Sequence, residues 1–128
     1  MKKPKIVMNI IKEEVGYGAH VSLMNRSIFT NGDTWDELKE NILDAVNLSF
    51  ADKEWIYTLD EIKLKPDLHS FFEYYKVINA KALGARIGMS QSLLSAYING
   101  IKKPSINQTY KILTGVKQLG RELADMHF

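Results

Sequence analysis

Residues 79–105 read NAKALGARIGMSQSLLSAYINGIKKPS, and the reading of the whole chain turns on them. Asn79 and Ser90 each precede a short run of helix-forming residues. Both are side chains that can accept a bond from a free N–H in the first helical turn. Gly88 falls between the two runs, where a sharp turn needs the positive φ that glycine tolerates. Gly100 stands just past the second run, at the usual place of a left-handed C-terminal cap. Pro104 stops any continuation, and Ser105 with Gln108 three residues on makes a capping box for the next helix. Two short helices, a tight turn and a basic loop are the punctuation of a helix-turn-helix.

Charge sharpens that reading. The 128 residues carry a net charge of +2, unevenly spread. Residues 1–65 hold nine Lys/Arg against eleven Asp/Glu, whereas residues 66–128 hold eight against four. Residues 74–121 contain eight Lys/Arg and no acid. Chance and solubility alone can produce such a run. A surface that faces phosphates also excludes acids, because each one weakens its attraction to the nucleic-acid backbone.

Working back towards the N-terminus, the period changes. KIVMNIIK at 5–12 is short and rich in β-branched residues, so it reads as a strand. YGAHVSLM at 17–24 alternates, with Tyr17, Ala19, Val21 and Leu23 on one side. Residues 13–16 supply the turn between them. Asn25 and Arg26 are read as a second turn, before a short strand at 28–30. Thr34 with Glu37 forms a capping box, and a helix is predicted over 35–49 with Leu38, Ile42, Ala45 and Val46 as its apolar stripe. A fourth strand is expected at 58–64. The order is β-β-β-α-β, in which one helix covers one face of a small antiparallel sheet. Lys65 and Pro66 mark a boundary, since proline turns its predecessor out of helical geometry. The predicted fold class is therefore α+β, with a sheet domain at 1–65 and an all-α helix-turn-helix domain of four to five helices at 66–128. In the second domain Leu68, Phe71, Phe72 and Tyr75 are expected inward from the first helix. Leu83 and Ile87 follow from the second, Leu94, Tyr97 and Ile98 from the third, and Tyr110, Ile112, Leu113, Val116 and Leu119 from the last.

Composition excludes several classes. The chain is 45% hydrophobic and 25% charged, ordinary for a globular protein. Cysteine is absent, which rules out a disulfide framework and thiolate metal sites and fits a reducing cytoplasm. No apolar run approaches the roughly 20 residues that span a bilayer, so no membrane association is expected. The basic-then-apolar start MKKPKIVMNII lacks a small-residue cleavage site and reads as a first strand, not a signal peptide. His20, His69 and His127 are isolated, so no metal site is expected. Glu13, Glu14, Asp33, Asp60 and Glu61 fall at turns or strand ends, with nothing that marks a burial able to shift a pKa. No serine sits in a nucleophile elbow and no glycine-rich phosphate loop occurs. No cofactor is expected, and the pattern argues against an enzyme.

In a helix-turn-helix the N-terminal residues of the second helix meet base edges in the major groove. Here these are Gln91, Ser92 and Leu93, with Ala96 one turn on. Gln can pair bidentately with adenine, Ser can serve several bases, and Leu or Ala can touch a thymine methyl. Asn79 and Ser90 head helices whose N–H groups can meet phosphates. Arg86, Lys102 and Lys103 are the candidate backbone cations. An ordinary solvent-facing helix start would carry the same residues at Gln91 and Ser92.

Residues 83–105 resemble the phage-repressor-like (Cro/C1, or XRE) helix-turn-helix family. Gly88 matches its turn glycine, Met89 the small apolar residue that follows and Ser90 the N-cap. Leu94 matches its packed position, Ser95 its buried-side serine, and Asn99 with Gly100 its ending. Gly84 stands where alanine is commoner, and Ala80 where glutamine is frequent. The resemblance implies base readout from Gln91, Ser92 and Ala96. Residues 17–50 resemble the HicB antitoxin family, whose fold is a truncated RNase H-like β-β-β-α-β. Thr30, Gly32, Asp33 and Thr34 match that family's turn, while Asn25, Arg26 and Ser27 replace its P-G-C. A HicB half followed by a helix-turn-helix is a known arrangement. It implies a cytoplasmic antitoxin that masks a HicA-like RNase toxin and represses its own operon. Such a protein binds double-stranded operator DNA as a homodimer or homotetramer, since paired recognition helices sit about one DNA turn apart. Two other readings remain open. One is a stand-alone transcription regulator whose first domain senses a ligand or only drives oligomerisation. The other is a nuclease built on the RNase H-like half.

Overall fold

The structure is a computed structural model describing residues 2–128. The fold is mixed α+β, a four-stranded sheet with five helices, and it divides into two compact units, one ending at Tyr74 and the other Tyr75–Phe128.

In the first unit the strands are β1 (Ile6–Lys12), β2 (Tyr17–Leu23), β3 (Arg26–Gly32) and β4 (Ile62–Pro66), in sheet order β3-β2-β1-β4. β1, β2 and β3 pair antiparallel, but β4 runs parallel to β1, with Ile6 opposite Ile62 and Ile10 opposite Pro66. The sheet is therefore mixed, where an antiparallel one was expected. The cause is α1 (Trp35–Ser49), which carries the chain back along the sheet before β4 is laid down. β4 also starts later than 58. Thr58 and Glu61 form a complete capping box around a 3-10 turn, Leu59–Glu61, which holds those residues out of the strand. The β2–β3 turn sits one residue earlier than predicted. Met24 and Asn25 are its two central residues, both with positive φ (52° and 61°), as a two-residue hairpin of the twist-matching type demands.

The unit's core follows from the alternation. Ile6, Met8, Ile10, Tyr17, Ala19 and Ile28 point to one face and meet Trp35, Leu38, Ile42 and Val46 of α1. Thr34 caps α1 by accepting from Glu37 N–H at 3.1 Å. Gly32 permits the close approach of that helix start, because a side chain there would collide with the Leu38 backbone. Phe50 and Tyr57 close the far end, and the Tyr57 hydroxyl donates to the Pro4 carbonyl at 2.6 Å. The opposite face of the sheet carries Val7, Ile11 and Phe29, which are exposed, with Asn9 and His20 half-buried.

α2 (Leu68–Tyr74) belongs to this unit, not to the helical one that begins at 66 in the sequence reading. Asp67 N–H continues the β4 ladder by donating to Ile10 O at 2.9 Å, and Asp67 Oδ1 accepts from Ser70 N–H at 2.7 Å. Phe72 is buried, and Tyr74 stacks on Trp35 with ring centroids 4.6 Å apart. Pro66 thus ends an edge strand, where a missing N–H is tolerated.

The second unit holds three helices, α3 (Ala80–Ile87), α4 (Gln91–Ile98) and α5 (Ile106–Ala124). No helix among the described residues is long and apolar enough to cross a membrane.

Candidate nucleic-acid interface

The second unit is assembled by its caps. Asn79 Oδ1 accepts from Ala82 N–H at 3.0 Å, and Ser90 Oγ accepts from Leu93 N–H at 3.2 Å. Gly88 ends α3 in the left-handed region (φ 70°), and Met89 N–H donates back to Gly84 O at 2.9 Å. This closed turn swings α4 away from α3. Ser105 Oγ accepts from Gln108 N–H at 3.1 Å and starts α5. Leu83, Met89, Leu94 and Ile112 are the buried apolar residues that the three helices share.

Two glycines set how closely these helices meet. A methyl carbon on Gly84 would stand 2.9 Å from the Met89 carbonyl oxygen, so the turn fits tightly only against glycine. A side chain at Gly115 would collide with Ile87, so that glycine admits α5 onto α3. The sequence reading did not single out Gly115. The available signal was a glycine inside a strongly amphipathic helix, which costs roughly 1 kcal/mol relative to alanine and so points to a packing reason.

α4 presents its first turn outward. Gln91 and Ser92 are exposed, Leu93 and Ala96 half-buried, and Leu94 fully buried. Ile98, expected in the core, is half-buried. Ser95 does not lie on the buried side, as the family resemblance implied. It is exposed one turn beyond Gln91 and accepts a bond from Asn99 Nδ2 at 3.2 Å. The outward strip of α4 is thus Gln91, Ser92, Ser95 and Asn99. Hydrophobic spacing alone could not separate Ser95 from Ala96, since both are small and adjacent.

The candidate phosphate ligands fall into two groups. Asn79, Ser90, Lys102 and Lys103 are exposed. Asn79 and Ser90 spend their side chains on the helix caps, which leaves N–H groups and not side-chain oxygens as what they bring to an anion. Lys102 and Lys103 follow the left-handed Gly100 (φ 74°), and Lys102 N–H is tied to Ala96 O at 3.2 Å, so the basic loop leaves α4 in a set direction. Arg86 differs. Its guanidinium pairs with the Glu122 carboxylate of α5 at 2.5 Å, and Gln118 donates to the same carboxylate at 3.2 Å. The Arg86 hydrogen bond, with that of Gln118, holds Glu122 below its ordinary pKa, while Glu122 raises that of Arg86. Arg86 is therefore engaged in joining α3 to α5.

α5 has one fully buried residue, Ile112. Tyr110 and Leu113, expected inward, are exposed, along with Ile106 and Leu123. With only α3 and α4 beside it in this unit, a 19-residue helix cannot cover all of its apolar positions.

The first unit's polar residues bring together no such constellation. No group of three His, Asp or Glu among the described residues is placed to hold a metal ion. Asp33 is exposed at the start of α1, Asp60 accepts from Thr58 Oγ1 at 2.6 Å, and Glu61 pairs with Lys3 at 2.8 Å. His69 lies 3.8 Å from Glu73 on α2. Comparison with family models, with curated proteins and with solved structures finds no match.

Proposed function

We propose that the chain is a HicB-type antitoxin: its second unit binds operator DNA as an autorepressor, and its first masks a small HicA-like RNase toxin. The observation that carries the DNA half is the outward first turn of α4. Gln91, Ser92 and Ser95 are free of the core there, beside Lys102 and Lys103, within a stretch of chain that contains no acid. Such a strip can lie in a major groove with its N-terminal residues on base edges and the two lysines on the backbone. The apolar positions that α5 leaves uncovered support at least a dimer, which a palindromic operator requires. The β-β-β-α-β order that precedes α2 in the first unit supports reading that unit as an RNase H-like scaffold put to a binding use.

Base readout and backbone binding separate experimentally. Gln91→Ala is expected to cost about 1–3 kcal/mol at the specific operator and to change base preference. Lys103→Ala is expected to weaken all sequences alike and to lower the slope of log K against log salt by about one. Equal losses with unchanged specificity in both variants would remove Gln91 from base readout. For the toxin half, co-expression with the product of the adjacent small gene is decisive: growth arrest by that product that the chain does not relieve ends the antitoxin reading.

A further inference from the structure

The face of the first unit's sheet opposite its buried core carries a cavity of about 370 Å³, lined by Gly18 with Ile11, Glu13, His20, Phe29 and Asn31. Register puts these together: Gly18 stands opposite both Ile11 and Asn31, and His20 opposite Phe29. Gly18 is what makes room. A methyl carbon there would lie 2.9 Å from the Glu13 carboxyl carbon, so the carboxylate of the exposed Glu13 lies over the sheet at Gly18. That carboxylate has no hydrogen bond or ion pair among the described residues. The neighbouring cation is turned elsewhere: Lys12 Nζ donates to the Glu13 and Gly16 carbonyls and sits 5.2 Å from the Tyr17 ring. Lys63 and Lys65 lie on the far strand β4, across from Val7 and Asn9. Phe29 is 75% exposed, with its ring 6.0 Å from that of His20.

A seated carboxylate without a counter-ion, beside an open aromatic ring, is the pairing that receives a guanidinium or an ammonium. The carboxylate supplies charge-assisted hydrogen bonds and the ring a cation–π contact. Val7 and Ile11 extend the same face as exposed apolar surface, of the kind that borders a protein contact. We infer that this cavity is where the first unit takes hold of its protein partner, by receiving an arginine or lysine side chain of a basic toxin between Glu13 and Phe29. The inference rests on the antitoxin reading above and assigns the surface on which that reading acts.

The test has two arms, both on the full chain. In the first, ¹⁵N-labelled protein is titrated with N-acetyl-arginine methylamide and with the uncharged citrulline analogue. Shifts are expected at Ile11, Gly18, His20, Phe29 and Asn31 with the arginine probe alone, and are lost in Glu13→Gln. Equal shifts with citrulline, or no change in Glu13→Gln, overturn the site. In the second, affinity for the adjacent gene's product is measured. Glu13→Gln and Phe29→Ala are each expected to weaken it about tenfold, with the tryptophan-monitored unfolding midpoint of Glu13→Gln unchanged. Wild-type affinity in both variants overturns the docking role. If the product fails to bind the wild-type chain, the antitoxin reading falls and the docking role with it, while the arginine arm still decides whether the cation site exists.

Discussion

The two units solve the same problem with very different means. Among the described residues the sheet unit buries fourteen apolar side chains, from Ile6 to Phe72, and closes them in with aromatic contacts such as Tyr17 on Trp35 and Phe50 on Tyr57. The helical unit buries four, Leu83, Met89, Leu94 and Ile112, and depends on three side-chain caps and two glycines to bring its helices close. A small domain buries a low fraction of its surface, so its margin is thin. A sheet covered by one helix gains area cheaply from alternation, whereas two eight-residue helices offer few residues to share with α5. The lesson is that the unit read as DNA-binding is the one that most needs help from outside itself, from a second copy or from DNA.

The largest expected effect tests that contrast directly. Leu94→Ala removes one of the four buried apolar side chains of the helical unit, and a buried leucine truncated to alanine costs about 2–5 kcal/mol. In so small a core this should unfold the helical unit at ordinary temperature. Both tryptophans, Trp35 and Trp55, lie in the sheet unit. The expected outcome is therefore a loss of far-UV helical signal with the tryptophan-fluorescence melt unmoved. Ile42→Ala, in the larger core, should lower the tryptophan melt and leave a folded protein. A tryptophan melt that falls together with the helical signal in Leu94→Ala would show one cooperative unit and break the comparison.

The sequence disclosed the two units unequally, and for physical reasons. α1 was legible at both ends because a threonine cap, an amphipathic stripe and a fixed length coincide at Thr34 to Ser49. The bounds of α3 and α4 were legible because each is a cap or a glycine whose requirement is local. What escaped was non-local. Whether β4 pairs parallel or antiparallel depends on where α1 returns the chain, and nothing within Ile62–Pro66 encodes that. α2 has the same apolar spacing whether it packs on the sheet or on helices; the Tyr74–Trp35 stack decides, across 39 residues of sequence. On α4 the N-terminal position of Gln91 and Ser92 was readable, but the pairing of Arg86 with Glu122 depends on how α5 packs on α3.

Gly84 sharpens the comparison at a smaller scale. Alanine in a helix interior is favoured over glycine by about 1 kcal/mol, so propensity alone makes Gly84→Ala stabilising. The 2.9 Å approach to the Met89 carbonyl opposes this, because that oxygen belongs to backbone held by the α3–α4 turn and cannot step aside as a side-chain tip would. Overpacking of this kind costs about 1–3 kcal/mol, which leaves a net loss of about 1 kcal/mol. Chemical denaturation followed by far-UV signal is the measurement. A gain in stability would mean that the turn relaxes at little cost, and that the helical unit's core is less closely fitted than its glycines indicate.

The smallest expected effect concerns acid, and it separates the units by their ion pairs. The sheet unit has Lys3–Glu61 and Arg26–Asp52 joining distant segments, whereas the helical unit has Arg86–Glu122. The Lys3 ammonium, with the Thr58 backbone N–H of the capping box, lowers the Glu61 carboxyl from 4.5 to about 2. A carboxyl with a depressed folded-state pKa stabilises the fold fully above its unfolded pKa, and that contribution fades as pH falls towards the folded one. Between pH 4.5 and about 2 the unfolded chain binds the extra proton, so stability must rise with pH in that window. Glu61 is exposed and screened by solvent, so the slope is expected to be shallow. In Glu61→Gln the tryptophan-monitored midpoint should lose part of its pH dependence over that interval and match the wild type in shape above it. The far-UV transition of the helical unit should keep its own acid dependence, because Glu122 is untouched. If Glu61→Gln leaves the sheet unit's acid profile unaltered, the Lys3–Glu61 bridge does not hold Lys3 and Pro4 to the turn before β4, and the bonds from Tyr57 to Pro4 and from Lys3 to the Ile56 carbonyl must do so.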